Sequence, residues 1–253
     1  MARRSVYPNT KLGKARYLLE HSELAEHVPD TIKETSENLH QFLMKYRTVY
    51  VKPDNGTAGR GVMRVKVEDP GTYCYQLEKE EHRFSSFNRM YRSLSEITSK
   101  RRHLVQKGIP LLKIRKRPFD IRVMVQRNPE GVWETTGIIG RLAHPRKIVT
   151  NYHSGGTPLP LEALLESHMS SQELPAFLER LNNLGVLTAE HMVKGYPFVH
   201  AFGIDIGLDA DLKPWIIEVN TKPDPHIFKW LGKPSVYQKI LRYLRFNRRL
   251  ARE

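Results

Sequence analysis

Two carboxylates and a carboxamide stand out in the stretch FGIDIGLDADLKPWIIEVNTKP, residues 202–223. Apolar and polar residues alternate on both sides of a polar break at 209–212, which predicts a β-hairpin. Its pairing is expected to place Asp205 opposite Ile216, one diagonal step from Glu218 and Asn220 on the same face. Such oxygen donors suit Mg²⁺, although all three could equally be solvated strand residues. We expect the apolar face to carry Ile204, Ile206, Trp215, Ile217 and Val219.

A second candidate for chemistry is the glycine-rich segment KPDNGTAGRGV, residues 52–62. Glycine can adopt positive φ and lets the backbone approach a phosphate closely, and Lys52 and Arg60 would add positive charge. The segment lacks the GK[ST] ending of a Walker A loop, and the strand-like VMRVKV follows it. A plain turn between two strands would explain the glycines as well. These glycines occupy positions 56, 59 and 61.

A hairpin is predicted where residues 118–126 and 132–141 flank the turn sequence Asn-Pro-Glu-Gly. Asp120 and Arg122 lie two residues apart and therefore share one face of the first strand. Arg141 closes the second strand and could reach the same pocket. The simpler alternative is an exposed Asp–Arg pair, which would contribute little stability.

Two short polar segments complete the set of candidate motifs. QKGI at 106–109 ends a predicted strand at a turn, and the loop IVTNYHSGGT at 148–157 follows the Asp120–Arg141 hairpin. Asn151 is the residue of that loop best suited to a specific polar contact.

The composition is that of a globular protein: of 253 residues, 40% are hydrophobic and 27% are charged. The only cysteine is Cys74, which excludes an intrachain disulfide and a cysteine-based zinc cluster. No apolar run is long enough to span a membrane, and the first residues lack the apolar core of a secretory signal. These features predict a cytoplasmic protein without a membrane partner.

The net charge of +14 suits an anionic ligand. Nucleic acid is not favoured as that ligand, because the arginine-rich C-terminal segment is explained by a solvated helix face and no RNA-binding motif is present.

Periodicity predicts both helices and strands along the chain. The helices are expected over residues 9–21, 36–46, 87–97, 161–166, 175–193 and 235–250. Beyond the two hairpins, strands are expected over residues 48–51, 62–67, 72–77, 82–84 and 103–109.

These motifs occur in one order along the chain: lysine with a glycine-rich loop, Q-x-G-I, a D-x-R hairpin and a D…E-x-N hairpin. The stretches that carry them are VYVKPDNGTAGRGV, LVQKGIPL, RPFDIRVMVQRNPEGVWETTGIIGR, IVTNYHSGG and FGIDIGLDADLKPWIIEVNTKP. This arrangement resembles the ATP-grasp superfamily and, within it, the YheC/YheD family of endospore coat-associated proteins.

The resemblance implies a two-lobed α+β fold in which antiparallel sheets grip ATP. Residues 1–105 would form the N-terminal lobe and residues 106–253 the C-terminal lobe. Many ATP-grasp ligases carry a substrate domain ahead of these lobes. A full domain of that kind is not expected here, because the first lysine motif is already at Lys52.

The resemblance also implies roles for the motif residues. Two arginines, Arg122 and Arg141, would face phosphate or the substrate carboxyl group as catalytic residues. Three residues would bind Mg²⁺: Asp205, Glu218 and Asn220. ATP would be bound, with adenine at the hinge near Gln106, by Lys52, Gly56, Thr57, Gly59, Arg60, Gly61, Gln106, Lys107, Ile109, Asp120 and Asn151.

The implied activity is ATP- and Mg²⁺-dependent ligation of a carboxylate to an amine through an acyl phosphate. The acid and the amine are not identified by the sequence, and a peptide is one candidate. Two alternatives stay open: a non-catalytic protein of the spore coat that retains an ATP site, and an ATP-grasp kinase. The family also implies a spore association, with spore coat proteins as candidate partners.

Overall fold

The computed structural model describes residues 7–57, 59–68 and 71–250. Seven α-helices are formed within these ranges: α1 Lys11–Leu18, α2 Ser22–Ala25, α3 Ser36–Tyr46, α4 Phe87–Thr98, α5 Leu161–Leu165, α6 Leu174–Gly195 and α7 Pro234–Leu250. Two short 3₁₀ helices cover Tyr152–Ser154 and His226–Leu231.

The strands of the described residues form two sheets. They are β1 Thr31–Lys33, β2 Thr48–Pro53, β3 Met63–Val67, β4 Tyr73–Leu77, β5 Glu80–Phe84, β6 His103–Lys107, β7 Lys113–Ile114, β8 Arg117–Arg127, β9 Trp133–Leu142, β10 Thr157–Leu159, β11 Ala201–Leu208 and β12 Pro214–Asn220.

The first sheet has the strand order β1-β6-β2-β3-β4-β5, and every pairing in it is antiparallel. Helices α3 and α4 cover one of its faces, where Leu39, Leu43, Met90 and Leu94 pack among strand residues that are fully buried. Each helix begins after a residue whose hydroxyl caps a backbone N–H, Thr35 for α3 and Ser86 for α4.

The second sheet has the order β10-β9-β8-β11-β12, with β7 paired to β8. Successive residues of β8 lie on opposite faces of the sheet. Ile121 and Val123 pack into the core under α6. Met124, on the opposite face, packs with Phe228 and Ile240 beneath α7. The face that carries Met124 also carries Asp120 and Arg122, at the end that α7 leaves uncovered.

The first two helices belong to the second sheet rather than to the first. Tyr17, Leu18 and Leu24 lie in the core that α6 forms with β8 and β11. Gly195, the last residue of α6, permits this contact, since a Cβ there would lie 2.5 Å from the Tyr17 ring. The expected division of the chain at residues 105 and 106 therefore differs from the packing in two respects: it places these helices in the other lobe, and it cuts through β6.

Most elements agree with their sequence-based boundaries, so the predicted α+β class is confirmed. Helix α3 covers residues 36–46 as predicted. The first helix is shorter than expected, because Thr10 caps it and the chain turns before α2. Strands β1, β7 and β10 were not predicted, since two or three residues give no periodicity. Within the described ranges, no helix is both long and apolar enough to cross a membrane.

Candidate functional site

A cleft of about 310 Å³ lies between the two sheets. Strands β2 and β6 form one wall, and strands β8, β9, β11 and β12 form the other. Loops around residues 56–62 and 148–152 border it. Most of the residues that the sequence singled out line this one space: Lys52, Gly56, Thr57, Gly59, Arg60, Gln106, Lys107, Ile109, Arg122, Arg141, Asn151, Asp205, Glu218 and Asn220.

Two of the predicted site residues lie outside this lining. Gly61 has φ of +72°, and a Cβ on it would meet the side chains of Arg101 and Pro53. Asp120 is 4% exposed, and both of its carboxylate oxygens accept hydrogen bonds from Arg141. Asp120 therefore supports a cleft arginine from behind, and its predicted place near the nucleotide stays a prediction.

Four buried charges form a connected network on the floor of the cleft. Arg122 donates to Asp205 through Nε at 2.5 Å and through Nη2 at 3.2 Å. Arg141 Nη2 lies 2.5 Å from Asp120 Oδ2 and 3.1 Å from Asp205 Oδ2. The charges balance, and each carboxylate has a geometrically matched guanidinium partner, as buried ions require.

The network fixes the charge of its members. Burial opposes ionisation of Asp205, but Arg122 and Arg141 outweigh it and lower the pKa of Asp205 to about 2. Burial likewise opposes the charge of Arg141, and Asp120 and Asp205 raise its pKa above the ordinary value. Arg141 is therefore a fixed cation at neutral pH, and it lines the cleft together with Arg122.

Lys52 lies on the opposite wall and is also buried. Its Nζ donates to Gln106 Oε1 at 2.5 Å. The Gln106 amide nitrogen in turn donates to Thr31 Oγ1 at 3.1 Å and lies 3.4 Å from the carbonyl oxygen of Ile217. Burial lowers the pKa of Lys52 to about 8. The side chain of Gln106 thus positions Lys52 rather than projecting freely into the cleft.

The hairpin of β11 and β12 differs from its expected register. Asp205 pairs directly with Glu218, and Ile206 pairs with Ile216, because a β-bulge falls between these pairs. The bulge leaves Ile217 lining the cleft and puts Ile216 in the core. The prediction that Ile217 lies on the apolar face was therefore wrong, since a bulge has no marker in the alternation.

Glu218 and Asn220 complete the carboxylate side of the cleft. Glu218 Oε1 accepts from Lys11 Nζ at 2.5 Å, and the Glu218 side chain is 22% exposed. Asn220 uses its amide nitrogen on the carbonyl of Gly203, at 3.3 Å. The Asn220 amide oxygen and the second carboxylate oxygen of Glu218 accept no hydrogen bond within the described residues.

The glycine-rich loop touches the opposite loop across the cleft. Gly59 has φ of +71°, and a Cβ there would lie 2.6 Å from Asn151 Oδ1. A side chain at this position would have to displace the Asn151 side chain, and the positive φ favours glycine independently of the space. Ala58 lies outside the described residues.

Lys11 is the main cleft residue that the sequence did not indicate. Besides Glu218, its Nζ contacts the carbonyl oxygen of Gly56 at 3.1 Å, and its backbone N–H donates to the carbonyl of Asp54. The start of α1 thereby joins the glycine-rich loop to β12. A lysine in a predicted helix normally faces solvent, so nothing in the pattern indicated this role. Other lining residues that were missed are Tyr50, Leu111, Val149, Tyr152, Lys222 and Asp224.

The two sheets and the cleft between them define the ATP-grasp fold. The ATP-grasp ligase PsnB, complexed with a phosphomimetic variant of minimal precursor, Mg and ADP, matches with a TM-score of 0.52 at 13% identity, over 93% of this chain and 59% of that one. N5-carboxyaminoimidazole synthetase from Staphylococcus aureus, complexed with ADP, matches with a TM-score of 0.52 at 10% identity, over 84% and 44%. At these identities the likeness concerns the fold alone.

Residues 7–246 match the family described as YheC/D like ATP-grasp, and the chain therefore belongs to that family. Endospore coat-associated protein YheD of Bacillus subtilis (strain 168) is 27% identical over 190 residues, 72% of this chain and 41% of YheD. YheC of the same organism is 26% identical over 210 residues, 81% of this chain and 57% of YheC. The chain spans about half the length of these curated relatives. The family predicted from the sequence is thus confirmed.

Proposed function

We propose that this chain is an ATP- and Mg²⁺-dependent ligase that joins a carboxylate to an amine. The observation that carries the proposal is the charge of the cleft, which is lined by seven lysines and arginines and three carboxylates. Such a surplus of positive charge between low-dielectric walls attracts anions. It suits a triphosphate together with an anionic acceptor.

The phosphates would be bound by Lys52 and the glycine-rich loop. The Lys52 ammonium is held in place by Gln106, and Gly59 keeps the loop close to the opposite wall. The apolar part of the cleft, which includes Ile109, Leu111 and Ile217, would receive the base.

Oxygen atoms that could bind Mg²⁺ lie on the wall of the cleft that contains β12. Glu218 and Asn220 line the cleft with oxygens that the described residues leave without a hydrogen bond, whereas Asp205 already accepts from two arginines. We therefore assign Glu218 and Asn220 as the main ligands and Asp205 as a ligand shared with the arginines. When bound, Mg²⁺ would neutralise charge on the triphosphate. Because Lys11 contacts Glu218, cation binding there would compete with this lysine.

The reaction would proceed in two displacements. A carboxylate oxygen of the acid attacks the γ-phosphorus of ATP, ADP leaves, and an acyl phosphate forms. The amine then attacks the acyl carbon, phosphate leaves, and a proton is lost as the amide forms. Arg122 and Arg141 would stabilise the negative charge that develops on the transferred group, from positions that the buried carboxylates fix in advance.

A turnover screen tests this proposal. The chain is incubated with MgATP and with mixtures of amines and carboxylic acids, peptides included. ADP release is measured first, and the masses of the products are then determined by mass spectrometry. We expect a product whose mass equals acid plus amine minus water. A phosphorylated acceptor would instead identify a kinase. ATP binding without ADP release for any mixture would favour the non-catalytic alternative.

The affinity for MgATP is predicted to fall as pH rises through about 8. Burial lowers the pKa of Lys52 to about 8, so the free protein loses this charge above that pH, and an anion beside Lys52 must then bring back a proton. We expect about tenfold weaker binding for each pH unit well above 8, measured by calorimetry at pH 7 and pH 9.5.

Lys52→Arg is the matched variant for this measurement, because arginine keeps its charge over the whole range. Its affinity should be nearly independent of pH between 7 and 9.5. If the variant retained the full pH dependence, a group other than Lys52 would be responsible.

A spore association is part of the proposal as well. It is supported by the names of the curated relatives, both of which are endospore coat-associated proteins of Bacillus subtilis (strain 168).

A further inference from the structure

Two exposed aromatic side chains meet at the edge of the cleft. Tyr152 lines the cleft and is 38% exposed, and its ring centroid lies 6.3 Å from that of Trp230, which is 59% exposed. Their planes are inclined by 45°. Single exposed aromatics are common on protein surfaces, but two in contact beside a cleft form a local apolar surface. We call Tyr152 and Trp230 the aromatic rim.

Buried neighbours hold Trp230 in its outward position. It belongs to the 3₁₀ helix His226–Leu231, in which Phe228 is fully buried and Leu231 is 9% exposed. Residues three apart in a 3₁₀ helix lie on the same face. Ile227 lines the cleft, so Trp230, three residues later, stands on the same side of this helix. The exposure of Trp230 is therefore built into the helix and does not come from a loosely packed loop.

Positive charge lies in the same cleft. Arg60 and Lys222 both line it, and neither forms a salt bridge with any residue in the described ranges. Arg122 and Arg141, by contrast, are each paired with buried carboxylates. The cleft thus combines cations that are available for an anion, Arg60 and Lys222 among them, with an aromatic surface at its edge.

We propose that the aromatic rim binds a large apolar or aromatic side chain of a peptide acceptor, next to the carboxylate that reacts in the cleft. This inference rests on the proposed ligase function and names its substrate class. A peptide is favoured over a protein partner, because the surface area of the aromatic rim is small. Two aromatic side chains present at most about 150–250 Å² each, far below the roughly 800 Å² per partner of a stable interface. Asn151 lines the cleft and directly precedes Tyr152, so the aromatic rim lies beside the proposed site.

The test uses two capped dipeptides, acetyl-Glu-Phe-amide and acetyl-Glu-Ala-amide, whose only carboxylate is the glutamate side chain. Calorimetric titration is performed on the whole chain with and without MgADP. We expect the phenylalanine peptide to bind about tenfold more tightly than the alanine peptide. Trp230→Ala and Tyr152→Ala should each bring this ratio close to one, and the affinity for MgADP reports whether the site is intact.

Phe198→Ala is the control, because Phe198 is 52% exposed and lies outside the cleft lining. The rim would be refuted by equal binding of the two peptides, by binding of neither, or by selectivity that survives Trp230→Ala or disappears in Phe198→Ala. A wild-type dimer that Trp230→Ala dissociates in sedimentation would assign the rim to a second copy of the chain instead. Failure of the wild-type chain to bind MgADP would contradict the ligase proposal separately.

Discussion

Replacement of Arg141 by methionine is expected to lower the free energy of unfolding by about 3–5 kcal/mol. Arg141 is 2% exposed and is the partner of two buried carboxylates, with Nη2 2.5 Å from Asp120 Oδ2 and 3.1 Å from Asp205 Oδ2. Methionine fills similar space but provides no charge. Asp120 would then be buried without a counter-ion, and its desolvation would no longer be compensated.

Urea denaturation followed by circular dichroism measures this loss. Arg83→Met is the matched control, because the Arg83 side chain is 59% exposed in its ion pairs with Glu68 and Glu81, and its midpoint should hardly change. Adding Asp120→Asn to Arg141→Met should recover part of the stability by removing the stranded charge. A loss in Arg141→Met no larger than in the control would show that the network does not stabilise the fold.

Replacement of Glu218 by glutamine is expected to weaken MgATP binding by about 100-fold. Changing a residue that only supports a metal ligand typically weakens metal binding by about 10- to 100-fold, and a residue proposed to bind the metal itself should lie at the upper end of this range. Glutamine keeps the size of the side chain but removes the charge assigned to Mg²⁺. The fold should be little affected, since Glu218 is 22% exposed and lies at the cleft surface. Calorimetry with MgATP and with ATP in a chelator separates the metal-dependent part of the affinity.

Asp211→Asn provides the comparison on the same hairpin, because Asp211 is an exposed carboxylate at the turn between β11 and β12. Its affinity for MgATP should match that of the wild-type chain. Equal affinity of Glu218→Gln and the wild-type chain would remove Glu218 from the metal site and leave only its contact with Lys11.

The elements that the sequence predicted well are those with clear periodicity or clear turns. The hairpin at the Asn-Pro-Glu-Gly turn and helix α3 are examples, because each combines alternating or helical apolar spacing with a recognisable end. The packing of α1 was not predicted. Its residues Tyr17 and Leu18 enter the core of the second sheet, and a partner so distant in sequence leaves no local pattern.

The sequence indicated which residues line the candidate site better than it indicated the contacts that they make. The order of the motifs assigned Lys52, Arg122 and Glu218 to one candidate site, and the structure places all three around one cleft. It did not reveal that Asp120 supports Arg141, because strand spacing gives a shared face but not a partner. It missed Lys11 altogether, since the lysine reaches Glu218 only through tertiary packing.

The thermal midpoint of the wild-type chain, measured with and without MgATP, shows whether the cleft is an ATP site. A nucleotide concentration of 100 times the Kd should stabilise the native state by about 2.7 kcal/mol. For a chain of 253 residues this corresponds to a rise of about 5–10 °C. We expect such a rise with MgATP, a smaller one when Mg²⁺ is chelated, and none with Mg²⁺ alone. An unchanged midpoint with MgATP would contradict the assignment of the cleft as an ATP site.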